Sequence, residues 1–280
     1  MTASPSASAL PPIAFIGGGN MASAILGGLR RAGLTADQFE VVEPHAATRE
    51  RLAADHGVTA LPAASDALQR CAWVVWAVKP QIFAEAASAT RPFLDAGALH
   101  LSVAAGIPSG SIAQWLGTER VVRAMPNTPA LVGQGTTGLY ARAAVDAAGR
   151  AQVEQLLQPT GSLLWVDAEP ALDAVTALSG SGPAYVFYFI ESMVEAGLEM
   201  GLSQEQAHQL AVGTFTGASA LAASASEPPA TLRERVTSKG GTTHAAISSL
   251  ESARVKEQFK AAIRAAQQRA RELAQEFGKA

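Results

Sequence analysis

Cysteine is nearly missing from this chain: Cys71 is the only one in 280 residues. A single thiol forms no intramolecular disulfide and no cysteine metal cluster. Its setting, CAWVVWAV, is an apolar strand pattern, which suits a buried inert thiol better than a nucleophile. Charge of one sign is missing too. With 21 Lys and Arg against 24 Asp and Glu, the net charge of -3 argues against a nucleic-acid partner and against an electrostatic membrane tether. No run is long and apolar enough to span a bilayer. The opening MTASPSASALPP has neither a basic n-region with a long apolar h-region nor the arginines of a transit peptide, so residues 1–12 are expected to be a short disordered tail. No metal site is expected, and the sequence offers no well-placed His–Asp pair. The remaining picture is a soluble, cytoplasmic protein whose 48% hydrophobic content supports a real core.

Order begins at Ile13. IAFIG reads as a short strand, GGGNMASAILGGLRRAG as a glycine turn running into a helix, and FEVVEP as a second strand. Gly17, Gly19 and Ala22 fit the G-x-G-x-x-G/A dinucleotide fingerprint. In it the first glycine makes the tight turn, the second admits a pyrophosphate, and the small third residue lets the helix approach the sheet. The fingerprint alone is weak evidence. Its flanking strand, helix and second strand supply the required context. The second strand ends at Glu43, where NAD-binding units carry the acidic residue that holds the ribose hydroxyls. Arg49 and Arg51 follow on a predicted helix; one of them is suited to a 2′-phosphate, or both lie on its wet face. The residues leave the coenzyme open.

Strands and helices keep alternating to about Val166, and three loops then fall at the carboxyl ends of strands, where open α/β sheets bind ligands. They are AVKP (Ala77, Val78, Lys79, Pro80), AAGIP (from Ala104 and Ala105) and MPNTP (with Asn127). After Asp167 the strand signal stops. The expected architecture is therefore α/β: a doubly wound Rossmann-type domain over 13–166, followed by an all-helical domain over 167–280.

Two stretches of the helical part bear on function. In DAVTALSGSGPAYVFYFIESMVEAGLEMG, Ser181 is expected to cap a long helix whose first turn holds Pro183, with the backbone N–H groups of the SGSG run open to a ligand. That helix is apolar nearly all round at its start, so it belongs in a core or against a second subunit. In TSKGGTTHAAISSLE, Gly240 and Gly241 permit a sharp turn, and Thr242 and Thr243 open the next helix; the chain is expected to be helical from there to its end, with the last helix around Val255 to Phe277. Free N–H groups with hydroxyls at a helix start suit a carboxylate; a capped helix without ligand is the plainer alternative.

IGGGNMA, AVKPQ, SVAAGI, RAMPNTPA, AVTALSGSGPAY and VTSKGGTT occur in the order and spacing of the pyrroline-5-carboxylate reductases, and from Ile13 to about Leu273 the chain resembles that family. The resemblance implies a Rossmann domain with a helical dimerisation domain, forming a homodimer that can build into a larger ring. It implies reduction of 1-pyrroline-5-carboxylate to L-proline with NADPH, or NADH as the alternative. It assigns Gly17, Gly18, Gly19, Asn20, Met21, Glu43, Arg49, residues 77–80, Ala104, Ala105 and Asn127 to the cofactor. Ser181 would bind substrate, lining the pocket near the nicotinamide. Ser238, Gly241 and Thr242 would hold the substrate carboxylate and Thr243 would reach the ring nitrogen, with the loop coming from the partner subunit. The chain departs from the family at Gly18 (usually alanine, expected to be a harmless change), at Lys239 (usually proline), and in PAASDAL, which lacks a frequent asparagine. A β-hydroxyacid dehydrogenase would need a lysine in the first turn of the long helix, where this chain has SGSGPAYVF. A non-catalytic nucleotide-sensing module would have a degraded GGTT loop.

Overall fold

The strands of the first part bury both of their faces, and that decides its architecture. Ile13 and Phe15 point into one hydrophobic cluster, Ala14 and Ile16 into another; Trp73 and Val75 divide from Val74 and Trp76 in the same way. Strands buried on both faces require helices on both sides of the sheet. The computed structural model, which describes residues 10–278, has such a sheet of eight strands. They are β1 (Ile13–Ile16), β2 (Phe39–Val42), β3 (Ala60–Leu61), β4 (Trp73–Trp76), β5 (Leu99–Ser102), β6 (Val121–Met125), β7 (Gly135–Ala141) and β8 (Gly161–Trp165). Their order is β3-β2-β1-β4-β5-β6-β7-β8. All neighbours pair in parallel except β6 and β7, which are antiparallel. The order reverses between β1 and β4, and their carboxyl ends are the switch point at which such sheets open a crevice.

The helices between them are α1 (Asn20–Arg31), α2 (Ala46–His56), α3 (Phe83–Thr90), α4 (Ser109–Leu116) and α5 (Ala147–Leu157). Ala22 is fully buried where α1 meets the sheet, and a Cβ on Gly28 would come within 3.2 Å of Pro159, so α1 lies close to its neighbours because its contact residues are small. Asp146 caps α5 by accepting from the Gly149 N–H, an interaction worth about 1 kcal/mol. Residues 1–9 of the expected tail lie outside the described residues. Leu10 already packs on the core, and its carbonyl accepts from the Gln38 amide.

The chain divides into two compact units, one holding the sheet and running to Ser181, with the stretch from Ala266 added to it, the other Gly182–Ala265. The strand signal ends at Trp165, but α6 (Ala171–Val175) and the turn after it belong with the sheet. So does the end of the last helix: a Cβ on Gly106 would meet Leu273 at 3.1 Å and Phe277 at 3.3 Å.

The second unit is helical, with α7 (Gly182–Glu199), α8 (Gln204–Ser224), α9 (Pro229–Arg235), α10 (Thr242–Ser252) and the start of α11 (Val255–Phe277). Gly197 lets α7 and α8 cross tightly, its missing Cβ lying 2.8 Å from Ala207. Tyr185 and Phe189 meet Phe259 edge-on at 5.7 and 5.5 Å. Its buried apolar cluster is small: Val194, Ala207 and Ala211. Phe187 and Tyr188 are 63% and 66% exposed, so the apolar start of α7 is not taken into this chain's own core.

The last helix, α11, spans Val255–Phe277, where the sequence places it: α10 ends at Ser252, and Arg254 takes φ 53 before α11 begins. One local expectation is corrected. Ser181 is not an N-cap. Residues Thr176–Gly180 form a π-helical turn, Ser181 is itself helical at φ -85, ψ -16, and its N–H is taken by the Thr176 carbonyl at 2.8 Å. The N–H of Ser181 is thus used up by the wide turn.

Candidate functional site

One candidate surface grows out of the switch point. Gly17 follows β1 with φ +96, and a Cβ there would meet the Ala77 carbonyl oxygen at 2.7 Å. Only glycine allows both that backbone and that approach. The loop after β1 and the loop after β4 therefore touch, bringing Gly17 beside Ala77 and Val78. At Gly19 a Cβ would meet nothing within 4 Å. Gly19 is the N-cap residue of α1, and no side chain caps that end. An open glycine turn feeding the uncapped N-terminus of a twelve-residue helix fits a pyrophosphate, which takes its ligands from free backbone N–H groups and the positive end of the helix dipole. Asn20 is exposed and Met21 half-buried there, and across the crevice Lys79 is exposed beside half-buried Pro80.

Glu43 closes one side of the turn. It is 6% exposed and both of its oxygens are engaged: Oε2 accepts from the Gly18 N–H and Oε1 from the His45 N–H, each at 2.8 Å. Arg49 reaches back along the end of β2, where its Nη1 donates to the Glu43 and Pro44 carbonyls at 3.0 and 2.6 Å. Of the two arginines left open by the sequence, Arg49 is half-buried at this corner while Arg51 is exposed on α2. Gly18 has no need of glycine for its backbone, but a Cβ there would lie 2.6 Å from Leu52 Cδ1 and 3.3 Å from Glu43 Cγ. Alanine at this position is therefore not a free exchange in this chain.

Further along the sheet, Ala104 is buried and Ala105 half-buried after β5. Asn127, after β6, has both ends of its amide engaged: Nδ2 donates to the Ser179 carbonyl at 3.0 Å and Oδ1 accepts from the Thr136 N–H at 2.8 Å. It ties the MPNTP loop to β7 and to the π-turn. Below that turn the missing Cβ of Gly180 would lie 2.5 Å from Met125 Cε. π-turns cost hydrogen-bond geometry and recur at functional sites. Ser181, half-buried, is the residue that follows.

Sequence reasoning missed what stands behind these loops. Arg123 and Glu169 form an ion pair at 2.6 Å, and the same carboxylate accepts from the Ser109 N–H and hydroxyl, each at 2.6 Å. Burial pushes the Glu169 carboxyl up, but the Ser109 and Arg123 hydrogen bonds together outweigh it and hold it below its ordinary value. The partners are 46 and 60 residues apart, so no local pattern announces them.

A second candidate surface lies within the helical unit. Residues 238–241 form a turn closed by the Gly241 N–H on the Ser238 carbonyl at 3.0 Å, with Gly240 at φ +77. A positive φ at the third residue marks a type II turn, whose second residue is commonly proline; that position is Lys239, exposed here. Gly241 is the N-cap residue of α10 and again no side chain caps the helix. Thr242 is exposed and Thr243 half-buried in its first turn. Two hydroxyls beside open N–H groups can hold a carboxylate and offer one further donor. The described residues thus gather Gly17–Met21, Glu43, Arg49 and the strand-end loops at one sheet edge, and Ser238, Gly241, Thr242 and Thr243 on one turn of the other unit.

A family model described as pyrroline-5-carboxylate reductase dimerisation matches residues 169–273, and one described as coenzyme F420-dependent NADP oxidoreductase matches residues 12–106. The chain is 46% identical over 269 residues to a pyrroline-5-carboxylate reductase of Pseudomonas aeruginosa, covering 96% of this chain and 98% of that one. Among solved structures, a pyrroline-5-carboxylate reductase from Coxiella burnetii matches with a TM-score of 0.87 and 36% identity, over 94% of this chain and 98% of the other. The Plasmodium falciparum pyrroline carboxylate reductase, solved with NADP bound, matches with a TM-score of 0.83 and 28% identity over the same shares.

Proposed function

The chain belongs to the pyrroline-5-carboxylate reductase family, and from that membership we infer that it reduces 1-pyrroline-5-carboxylate to L-proline. It is an oxidoreductase that uses a nicotinamide dinucleotide and self-associates through its helical part. Of the two coenzymes we assign NADPH first, with NADH as the alternative, because Arg49 stands at the corner where a 2′-phosphate would come. The functional division we adopt is coenzyme binding by residues 13–166 and substrate binding with dimerisation by residues 167–280. The alcohol chemistry of a β-hydroxyacid dehydrogenase has no lysine to serve it in the first turn of α7.

When bound, the reduced coenzyme supplies the hydride. The protein's task is then positional. The open turn at Gly19 and the start of α1 bind the pyrophosphate; Asn20, Met21, residues 77–80, Ala104, Ala105 and Asn127 line the way toward the nicotinamide, with Ser181 at its end. The α10 turn anchors the substrate: Ser238, Gly241 and Thr242 hold the carboxylate, and the Thr243 hydroxyl donates to the ring nitrogen as it gains electron density. The loop acts on the coenzyme of the partner subunit. The exposed apolar start of α7 supports a dimer, which we extend to a ring of dimers. No helix among the described residues is long and apolar enough to cross a membrane, which is compatible with the cytoplasmic location we assign.

The observation that carries this reading is the uncapped α10 turn with Thr242 and Thr243 in its first positions. The test is turnover of pyrroline-5-carboxylate, followed by NADPH oxidation, in wild type and Thr243→Val. Loss of a donor that acts on the transition state lowers turnover by roughly 10²–10³, with coenzyme affinity unchanged. Equal turnover by both proteins would make Thr243 no more than part of a helix start.

A further inference from the structure

We propose that Gly18 is a positioning residue for coenzyme choice: by leaving room for the Glu43 carboxylate it fixes the discrimination between a ribose 2′-hydroxyl and a 2′-phosphate. The proposal rests on the nicotinamide-coenzyme reading above and goes beyond it in naming how the choice is set.

Glu43 is held from both sides. Its backbone N–H donates to the Leu61 carbonyl at 2.8 Å, and its carboxylate carries the Gly18 and His45 N–H groups. Turning the side chain away would strand the buried Gly18 amide donor and release the part-buried His45 one, which is costly. It therefore presents negative charge at a fixed place beside the fingerprint turn. Its remaining lone pairs can accept from ribose hydroxyls, whereas a phosphate group there meets like charge. The opposing group is Arg49, whose Nη1 is bound by two carbonyls while the rest of the guanidinium is left to face an anion. One corner thus carries a hydroxyl acceptor and a phosphate donor together, and the firmness of Glu43 sets the balance between them.

Gly18 sets that firmness. A Cβ at position 18 would lie 2.6 Å from Leu52 Cδ1, 3.2 Å from Thr48 Cγ2 and 3.3 Å from Glu43 Cγ. Leu52 is fully buried and cannot withdraw into solvent. A methyl group here makes Leu52 Cδ1 shift and asks Thr48 and Glu43 to give by a few tenths of an ångström, which lengthens and loosens the bond from the residue-18 N–H to the Glu43 carboxylate. Nothing else in this geometry asks for glycine, since Gly18 is not among the positive-φ residues.

Dissociation constants for NADP+ and NAD+, measured by isothermal titration on wild type, Gly18→Ala, Glu43→Gln and the double variant, test this without turnover. Each single variant is expected to shift the affinity ratio toward NADP+ by about two- to fivefold, the size of one like-charge contact near a surface. The double variant is expected to show no shift beyond that of Glu43→Gln, because Gly18 acts through that carboxylate. If Gly18→Ala fails to fold, Gly18→Ala with Leu52→Val, which removes the Cδ1 atom, keeps the methyl group beside Glu43 and carries the same expectation. Equal weakening of both coenzymes by Gly18→Ala, or a shift that adds to that of Glu43→Gln, overturns the proposal and reduces Gly18 to a packing residue. Binding of neither coenzyme to wild type would overturn the nicotinamide reading itself.

Discussion

Two titrating side chains, one buried and one half-buried, tie this protein's stability to acid. Burial, with Arg120 nearby, lowers the His100 imidazole from its ordinary 6.5 to about 4, and its Nδ1 accepts from the Trp76 indole at 3.1 Å. The folded state thus resists a proton that the unfolded state accepts, so stability is complete above pH 6.5 and falls as the pH drops toward 4. Glu169 adds to this limb, because its carboxyl is held below its ordinary value; its contribution is present above the unfolded value and is lost as pH falls through the folded one. Glu169→Gln removes the partner of a nearly buried Arg123 and is expected to cost roughly 1–3 kcal/mol at neutral pH, with a shallower fall in acid. Urea unfolding at pH 7 and pH 4.5 reads both. An unchanged slope between the two pH values would mean that the pair gives nothing to stability. None of this was visible in the sequence, where His100 is one residue of an apolar strand and Glu169 lies in a loop.

The exposed start of α7 needs a cover. Val186, Phe187 and Tyr188 stand 40%, 63% and 66% exposed in successive positions, above a cluster of just three buried apolar residues. Such a patch on a unit with so little core marks an interaction surface. A charge at its centre, Phe187→Asp, is expected to give monomers or aggregates by sedimentation; a soluble active dimer would show that association uses another face. The sequence could be read this far because helix α7 announces itself through composition alone. The β-strands were equally plain, since apolar runs bounded by glycine and proline need no partner to be recognised. The π-turn before α7 was not. Ser-Gly-Ser-Gly-Pro looks locally like a helix start, and what overrides it is distant: the Asn127 amide on the Ser179 carbonyl and Met125 against Gly180. Fingerprint glycines and the GGTT turn were legible because their geometry is local; the double grip on Glu43 was not, because it joins a turn to a strand end 25 residues away.

At the scale of the whole molecule, the last helix belongs to both units. α11 begins in the helical unit, and from Ala266 on it lies with the sheet, where Leu273 and Phe277 cover Gly106 and the Ser111 hydroxyl donates to the Gly278 carbonyl at 3.4 Å. The covered segment is the loop that carries Ala104 and Ala105. Phe277→Ala is therefore expected to lower stability by roughly 1–3 kcal/mol and to weaken coenzyme binding a few-fold, measured by thermal melting and titration. A destabilised protein with unaltered coenzyme affinity would limit that helix to packing. The same return of the chain has a consequence in time. The sheet unit is interrupted by the helical stretch Gly182–Ala265, so on the ribosome it lacks part of its cover until the end of α11 has emerged. Until then the β5–α4 loop stays bare, and the nascent chain reaches its coenzyme-binding form only once α11 has been made.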